Sequence, residues 1–260
     1  MDVIHISYLQ LGLASVLVLA VLVINWVMQL GFQKDLIFGA LRTLVQLSLT
    51  GYVLAFIFIR SGRGEWYWVL LALAIMISVA VYTASGRTRE KLAGKLWIYA
   101  TAIGVGSIIV LAYITLVVLR PHLLLDGRYI IPLAGMIIGN SMTAATLAVT
   151  RFASDVRARR AEIETALSLG ATPSLSVANI RREALRTAII PNINSMLVVG
   201  IVSLPGMMTG QIIAGQDPTQ AVRYQIVVMY MICAAASFTA AIAVVMAQKK
   251  IFTPWMSLEY

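Results

Sequence analysis

Long apolar runs separated by short polar connectors recur from residue 8 to residue 247. About 20 apolar residues in a helix span the hydrocarbon core of a bilayer, roughly 30 Å thick. The pattern predicts seven membrane-spanning helices, at 7–30, 36–59, 66–84, 97–119, 129–150, 186–206 and 221–247. The implied fold class is all-α: a polytopic transmembrane helical bundle forming one domain over 1–260, with no linker long enough to divide it. The first apolar run is preceded by Asp2 and His5 but by no Lys or Arg, and it lacks a small-residue cleavage site. It is expected to stay in the membrane as a helix rather than be removed as a signal peptide.

One segment breaks the pattern. Between 151 and 186 charges are dense, and Val156, Ile163 and Leu167 share one helical face beside an Arg160–Glu164 i,i+4 pair. Gly170 suits a helix stop, and Thr172-Pro173 suits a cap followed by a first-turn proline. The prediction is helix, sharp turn, helix, projecting from the bundle on its cytoplasmic face.

Connector charge orients the bundle, because cytoplasmic connectors retain Lys and Arg. With the N-terminus outside and the C-terminus cytoplasmic, fourteen basic residues fall inside and five outside, with Arg42 left within a span. The chain is 60% hydrophobic and 12% charged, where soluble domains carry about 25% charged residues. Its net charge of +9 is therefore a topological signal, and nucleic acid is not an expected partner. The lone cysteine, Cys233, excludes an intramolecular disulfide.

Catalytic signatures are absent: no HExxH, GxSxG, GxxxxGK[ST] or CxxC occurs, and no Asp or Glu lies inside a predicted span. The two histidines, His5 and His122, fall outside the predicted helices. The chain is expected to be no enzyme, and uphill transport by it would draw its energy from a partner. The hairpin offers that partner a surface through Arg160, Glu162, Glu164, Ala166, Gly170, Ala171 and Pro173. An acidic residue, a small residue and a glycine at this spacing resemble the EAA loop by which ABC permeases dock on their ATPases. The alternative is a solvated, charge-paired hairpin.

A wider set of runs resembles the FetB family of ABC transporter permeases: Arg42 to Leu47 with Gly51-Tyr52, Gly135 to Met142, Glu162 to Gly170, Ile190 to Met196, and Leu204 to Gln211. That family includes a bacterial iron-export permease and plant permeases of aluminium tolerance. The resemblance implies a homodimer in a bacterial inner membrane and a separate ABC ATPase subunit. It also implies a metal ion, iron, as substrate; no cofactor is expected on this chain, and ATP is expected on the partner.

Polar residues within the spans are few. Gln46 shares a face with Gly39, Thr43 and Thr50, while Arg42 can snorkel to the interface. Asn140 and Thr143 lie beside a Gly135–Gly139 stripe. Such residues glue helices together or line a pathway. Asn192, Asn194 and Ser195 follow Pro191, and Pro205, Gly206, Gly210 and Gly215 interrupt the next apolar run. Broken helices in membranes line cavities or are covered by protein, so Met207, Met208, Thr209 and Gln211 form an expected outer gate, or a turn with packed methionines. Two other readings stand beside metal export. One is a permease for a small organic or nucleotide-sugar solute. The other is a seven-helix sensor, although 221–247 holds no lysine for a retinal.

Overall fold

The computed structural model describes residues 7–61, 66–88, 92–118 and 126–252. His5, His122 and the connector residues Arg63, Arg89, Lys91 and Arg120 lie outside the described residues. The elements are α1 (Tyr8–Val27), α2 (Gln33–Ser61), α3 (Tyr67–Arg87), α4 (Lys95–Tyr113, prolonged by a π turn, Ile114–Val118), α5 (Gly127–Ala158), α6 (Arg160–Ser168), α7 (Pro173–Ser176), α8 (Ala178–Val198), α9 (Gly206–Ile213) and α10 (Pro218–Ile251). Six of the described helices, α1 to α5 and α10, are long and apolar enough to cross a membrane.

The remaining predicted span, 186–206, is broken. Helix α8 ends at Val198, Gly200 turns with φ +85°, and its N–H bonds Ser203 O at 2.9 Å before Pro205 caps α9. The first half of α8 carries Arg181, Arg182, Glu183 and Arg186, which bilayer hydrocarbon would not solvate.

Local chemistry sets the helix starts. Ser7 and Gln10 form a capping box on α1, and Asp126 and Asp217 accept the N–H groups of Arg128 and Thr219 to start α5 and α10. The hydrogen bonds from Thr219 hold the exposed Asp217 carboxyl below its ordinary pKa.

Packing sorts the helices into a core and a periphery. Helix α10 lies against α4, α5 and α8 along a seam of buried alanines: Ala236, Ala240, Ala243 and Ala247 of α10 join Ala144, Ala145 and Ala148 of α5 and Ala102 of α4. Lipid tails are as apolar as leucine, so close van der Waals approach between small residues, rather than water exclusion, holds such helices together. At the tightest point Gly106 of α4 meets Thr239 of α10, whose hydroxyl donates to Ser141 Oγ of α5 at 3.1 Å. A second buried bond joins Thr88, just past α3, to Tyr99 of α4. Helices α1 and α2 stand apart: 6% of each span is buried, against 50% for α5.

Basic residues gather at one end of the core. Gly94 at the start of α4 lies beside Lys250 near the end of α10, and Arg181 of α8 donates to Gln248 of α10 at 2.7 Å. At 1.5 Å per residue, the 32-residue α5 and the 34-residue α10 are about 48 and 51 Å long. Both exceed a hydrocarbon core of about 30 Å, so at this end the hairpin stands clear of the membrane.

A Cβ at position 106 would overlap the Thr239 hydroxyl and crowd its backbone, whereas one at 104 meets nothing within 4 Å. Gly106→Ala is expected to lose about 1–3 kcal/mol of stability. Gly104→Ala is expected to lose nothing and to gain up to about 1 kcal/mol from helix propensity. Unfolding midpoints of the two variants in detergent check the contrast.

Candidate functional site

The charged hairpin is built as the sequence predicts and is anchored more firmly than the sequence shows. Helix α5 breaks at Arg159, and α6 then runs to Ser168. Gly170 adopts φ +90°, the Gly170 and Ala171 N–H groups bond Leu167 O and Ala166 O, and the carbonyls ending α6 are satisfied in a Schellman turn. Thr172 Oγ1 accepts the Leu175 N–H, and Pro173 opens α7.

The base of the hairpin belongs to the bundle's own core. Ile163, Val177 and Ile180 are 1%, 0% and 3% exposed and share one apolar cluster with Phe152 and Val156 of α5 and Val244, Ala247 and Ile251 of α10. Arg181 adds a clamp, donating to Ser174 Oγ at 3.1 Å as well as to Gln248. The tip differs: Leu169 and Leu175, on either side of the glycine turn, are 83% and 67% exposed.

Of the residues expected to couple to a partner, Arg160 pairs with Glu164 at 2.7 Å, and Glu162 with Arg159 at 2.8 Å. The Glu162 hydrogen bond and charge raise the Arg159 pKa above its ordinary value, and Arg159 also reaches Glu183 of α8 at 3.9 Å. Ala166, Ala171 and Pro173 are half-buried and Gly170 is exposed. Sequence reading misses Leu169 and Leu175. Their signal is that both flank the Gly170 stop and fall outside the Ile163–Leu167 face.

The polar residues within the membrane fall into three places. Gln46 lines a cleft of about 1000 Å³ between α2, α3 and α5, together with Gly135 and Gly139. Arg42 Nε donates to Gln46 Oε1 at 3.3 Å. The Gly135–Gly139 stripe is thus open: a Cβ on Gly139 would meet nothing within 4 Å, and one on Gly135 only the tip of Met76.

The second place is the packed pair of helices α5 and α8. Asn140 and Asn192 are half-buried there, while Thr143, Asn194 and Ser195 are exposed. Asn140 Nδ2, Thr143 Oγ1 and Ser195 Oγ donate to the carbonyls of Met136, Gly139 and Pro191 in their own helices.

The third place is α9. Met208 is 7% exposed, and Met207 packs with Met136 on a cluster built from Ile137, Val228 and Met231. Thr209 Oγ1 donates to Pro205 O, and Gln211 Oε1 is buried without a partner among the described residues. Gln225 of α10, which sequence reading passes over, is likewise buried with its Oε1 unpartnered. Among the described residues no three His, Cys, Asp or Glu side chains converge as a metal-binding group.

The family profile described as "Uncharacterised protein family (UPF0014)" matches residues 8–252. The chain belongs to this family. Among its relatives, the UPF0014 membrane protein YjkA of Bacillus subtilis is 37% identical over 255 residues, 97% of this chain and 98% of that one. The "Probable iron export permease protein FetB" of Escherichia coli is 36% identical over 249 residues, covering 95% and 93% of the two chains. "Protein ALUMINUM SENSITIVE 3" of Arabidopsis thaliana is 35% identical over 246 residues, covering 95% and 88%. No solved structure matches the chain. As a UPF0014 member in which six of the described helices are long and apolar enough to cross a membrane, the chain is a multi-pass membrane protein.

Replacing Arg181 by Ala leaves Gln248 and Ser174 without their donor and frees α7 from α10. Arg181→Ala is expected to speed amide exchange or protease cutting across 169–177 at least about tenfold, as a local opening made easier by about 1.4 kcal/mol would. The transmembrane helices should stay protected.

Proposed function

We propose that the chain is the membrane subunit of an ABC-type transporter, that it works as a homodimer, and that a separate ATPase subunit binds and hydrolyses the ATP. Its cargo is a metal ion, iron, carried out of the cytosol of a bacterium across the inner membrane. Kinship with the relative named "Probable iron export permease protein FetB" supports the cargo, and the basic residues gathered around the hairpin support a cytosolic location for that end.

The observation that carries the reading is the two-sided hairpin. Its base is continuous with the core of α5, α8 and α10, and its tip presents bare leucines beside paired charges. A rigid element of this kind inserted in a groove on a partner passes rigid-body movement to the helices it joins. The homodimer has a physical motive as well. The exposed Asn194 amide is a group that lipid would solvate poorly, and a second copy would enclose it, with the exposed Thr143 and Ser195, as a polar pathway.

These neutral amides and hydroxyls favour a second cargo, a small organic or nucleotide-sugar solute. ATPase activity of the reconstituted pair separates the two: stimulation by Fe(II) and none by nucleotide sugars is expected, and the reverse would replace the metal.

Leu169→Glu with Leu175→Glu is expected to weaken ATPase binding about thirtyfold, the effect of losing an interface anchor worth about 2 kcal/mol. Membrane insertion should not change. Glu164→Lys should weaken binding in the same direction. Co-purification with the ATPase subunit measures both, and undiminished binding in both variants would remove the hairpin from the coupling role. Labelling of a cysteine at 169 from the cytosolic side, in a Cys233→Ser background, checks the orientation.

A further inference from the structure

The cleft between α2 and its neighbours is a wedge with a closed end and a splayed end. At the closed end Ile57 of α2 is buried in a cluster with Val69 of α3 and Ile130 and Ile131 of α5. Phe56 stacks edge-on against Trp68 with ring centres 5.2 Å apart, and the Arg60 guanidinium lies 5.4 Å from the Phe56 ring centre. Toward the other end α2 leaves the bundle, and residues 41–53 are exposed throughout. The volume thus opened, about 1000 Å³, is at the upper end of ligand-sized pockets, which run to about 1,000 Å³.

Its lining is chemically polarised. Among the described residues, Arg42 of α2 and Arg87 of α3 are the charged side chains that line the cleft, and no carboxylate lines it. Arg42 is held through Nε by Gln46, which leaves its two terminal amino groups unpartnered among the described residues. The hydroxyls of Thr43 and Thr50 are committed to the carbonyls of Gly39 and Gln46. Apart from Thr83, the walls beyond this pair of cations are apolar, formed by residues such as Leu54, Ile75 and Val79, and Gly135 and Gly139 widen the floor.

The registers of the two helices put both cations at one membrane boundary. From Arg42 to Arg60 along α2 is about 27 Å, and from Trp68 to Arg87 along α3 about 28 Å, each close to the thickness of the hydrocarbon core. The two helices run antiparallel, and Arg60 and Trp68 are joined through Phe56 at the closed end. Arg42 and Arg87 therefore line the cleft at the same, opposite boundary, the level of lipid phosphates.

The geometry points to a binding site for one anionic phospholipid per chain, its phosphate between Arg42 and Arg87 and an acyl chain along the apolar wedge. The charge complementarity selects an acidic headgroup over a zwitterionic one. The site stands whether or not the chain is a transporter.

The test is native mass spectrometry of the purified full chain, titrated with phosphatidylglycerol or with phosphatidylcholine of the same acyl chains. Each cation at the membrane surface contributes about fivefold to binding of an acidic lipid, so two give an expected preference of about thirtyfold. Arg42→Ala with Arg87→Ala should reduce the preference to about threefold or less. Gly139→Leu projects into open space and should block retention of the lipid by filling the cleft. This variant keeps the test decisive if the double variant fails to fold.

Equal retention of both lipids by the unmodified chain would overturn the site, as would an unaltered preference in Gly139→Leu or in a folded double variant. Displacement of the lipid by inorganic phosphate alone would show an anion site without lipid character and would also overturn it. So would efficient cross-linking of a cysteine at 139, in the Cys233→Ser background, to its counterpart in a second copy, because a protein helix would then occupy the cleft.

Discussion

Alanine meeting alanine and glycine along α10 is the contact on which the rest of this structure depends. In lipid there is no water to expel from between two helices, so their attraction comes from the number of atoms brought within van der Waals reach. The seam of Ala236, Ala240, Ala243 and Ala247 lets α10 lie against α4, α5 and α8 at once, and Gly106 admits the Thr239 side chain where larger residues would hold the helices apart. The hydroxyl bond from Thr239 to Ser141 then fixes the register, because an unpaired hydroxyl at that depth would be costly.

The same core continues out of the membrane. Ile163, Val177 and Ile180 extend the apolar cluster into the hairpin, and Arg181 ties it to Gln248. The hairpin is therefore the exposed end of the rigid body formed by α5, α8 and α10 rather than a loop hung from it. Force applied at its tip has a short, packed route to the helices that carry Asn140, Asn192 and Asn194.

Helices α1 and α2 follow a different logic. They lack the alanine seam, make few buried contacts and touch the core mainly through Ile57 and the Phe56–Trp68 pair. With so little packing holding it, α2 departs from α3 and α5 and leaves the arginine-rimmed wedge. A fold with one tightly packed body and one loosely attached pair of helices has room for lipid or protein at the junction.

The sequence by itself determined that the chain is a helical membrane protein, roughly where its helices lie, and that a helix–turn–helix with its stop at Gly170 and its cap at Thr172-Pro173 projects from it. Each of these depends on composition, run length or contacts between residues within a turn of one another. Only the tertiary structure decided that Leu169 and Leu175 are bare while Ile163 is buried, that Met208 is packed away, and that Gly139 borders a cleft instead of a neighbouring helix. In a soluble helix the polar face would have announced such choices. In a helix apolar all round, lipid and protein interior are equally acceptable surroundings, so which face turns inward depends on the shapes of the neighbours it meets.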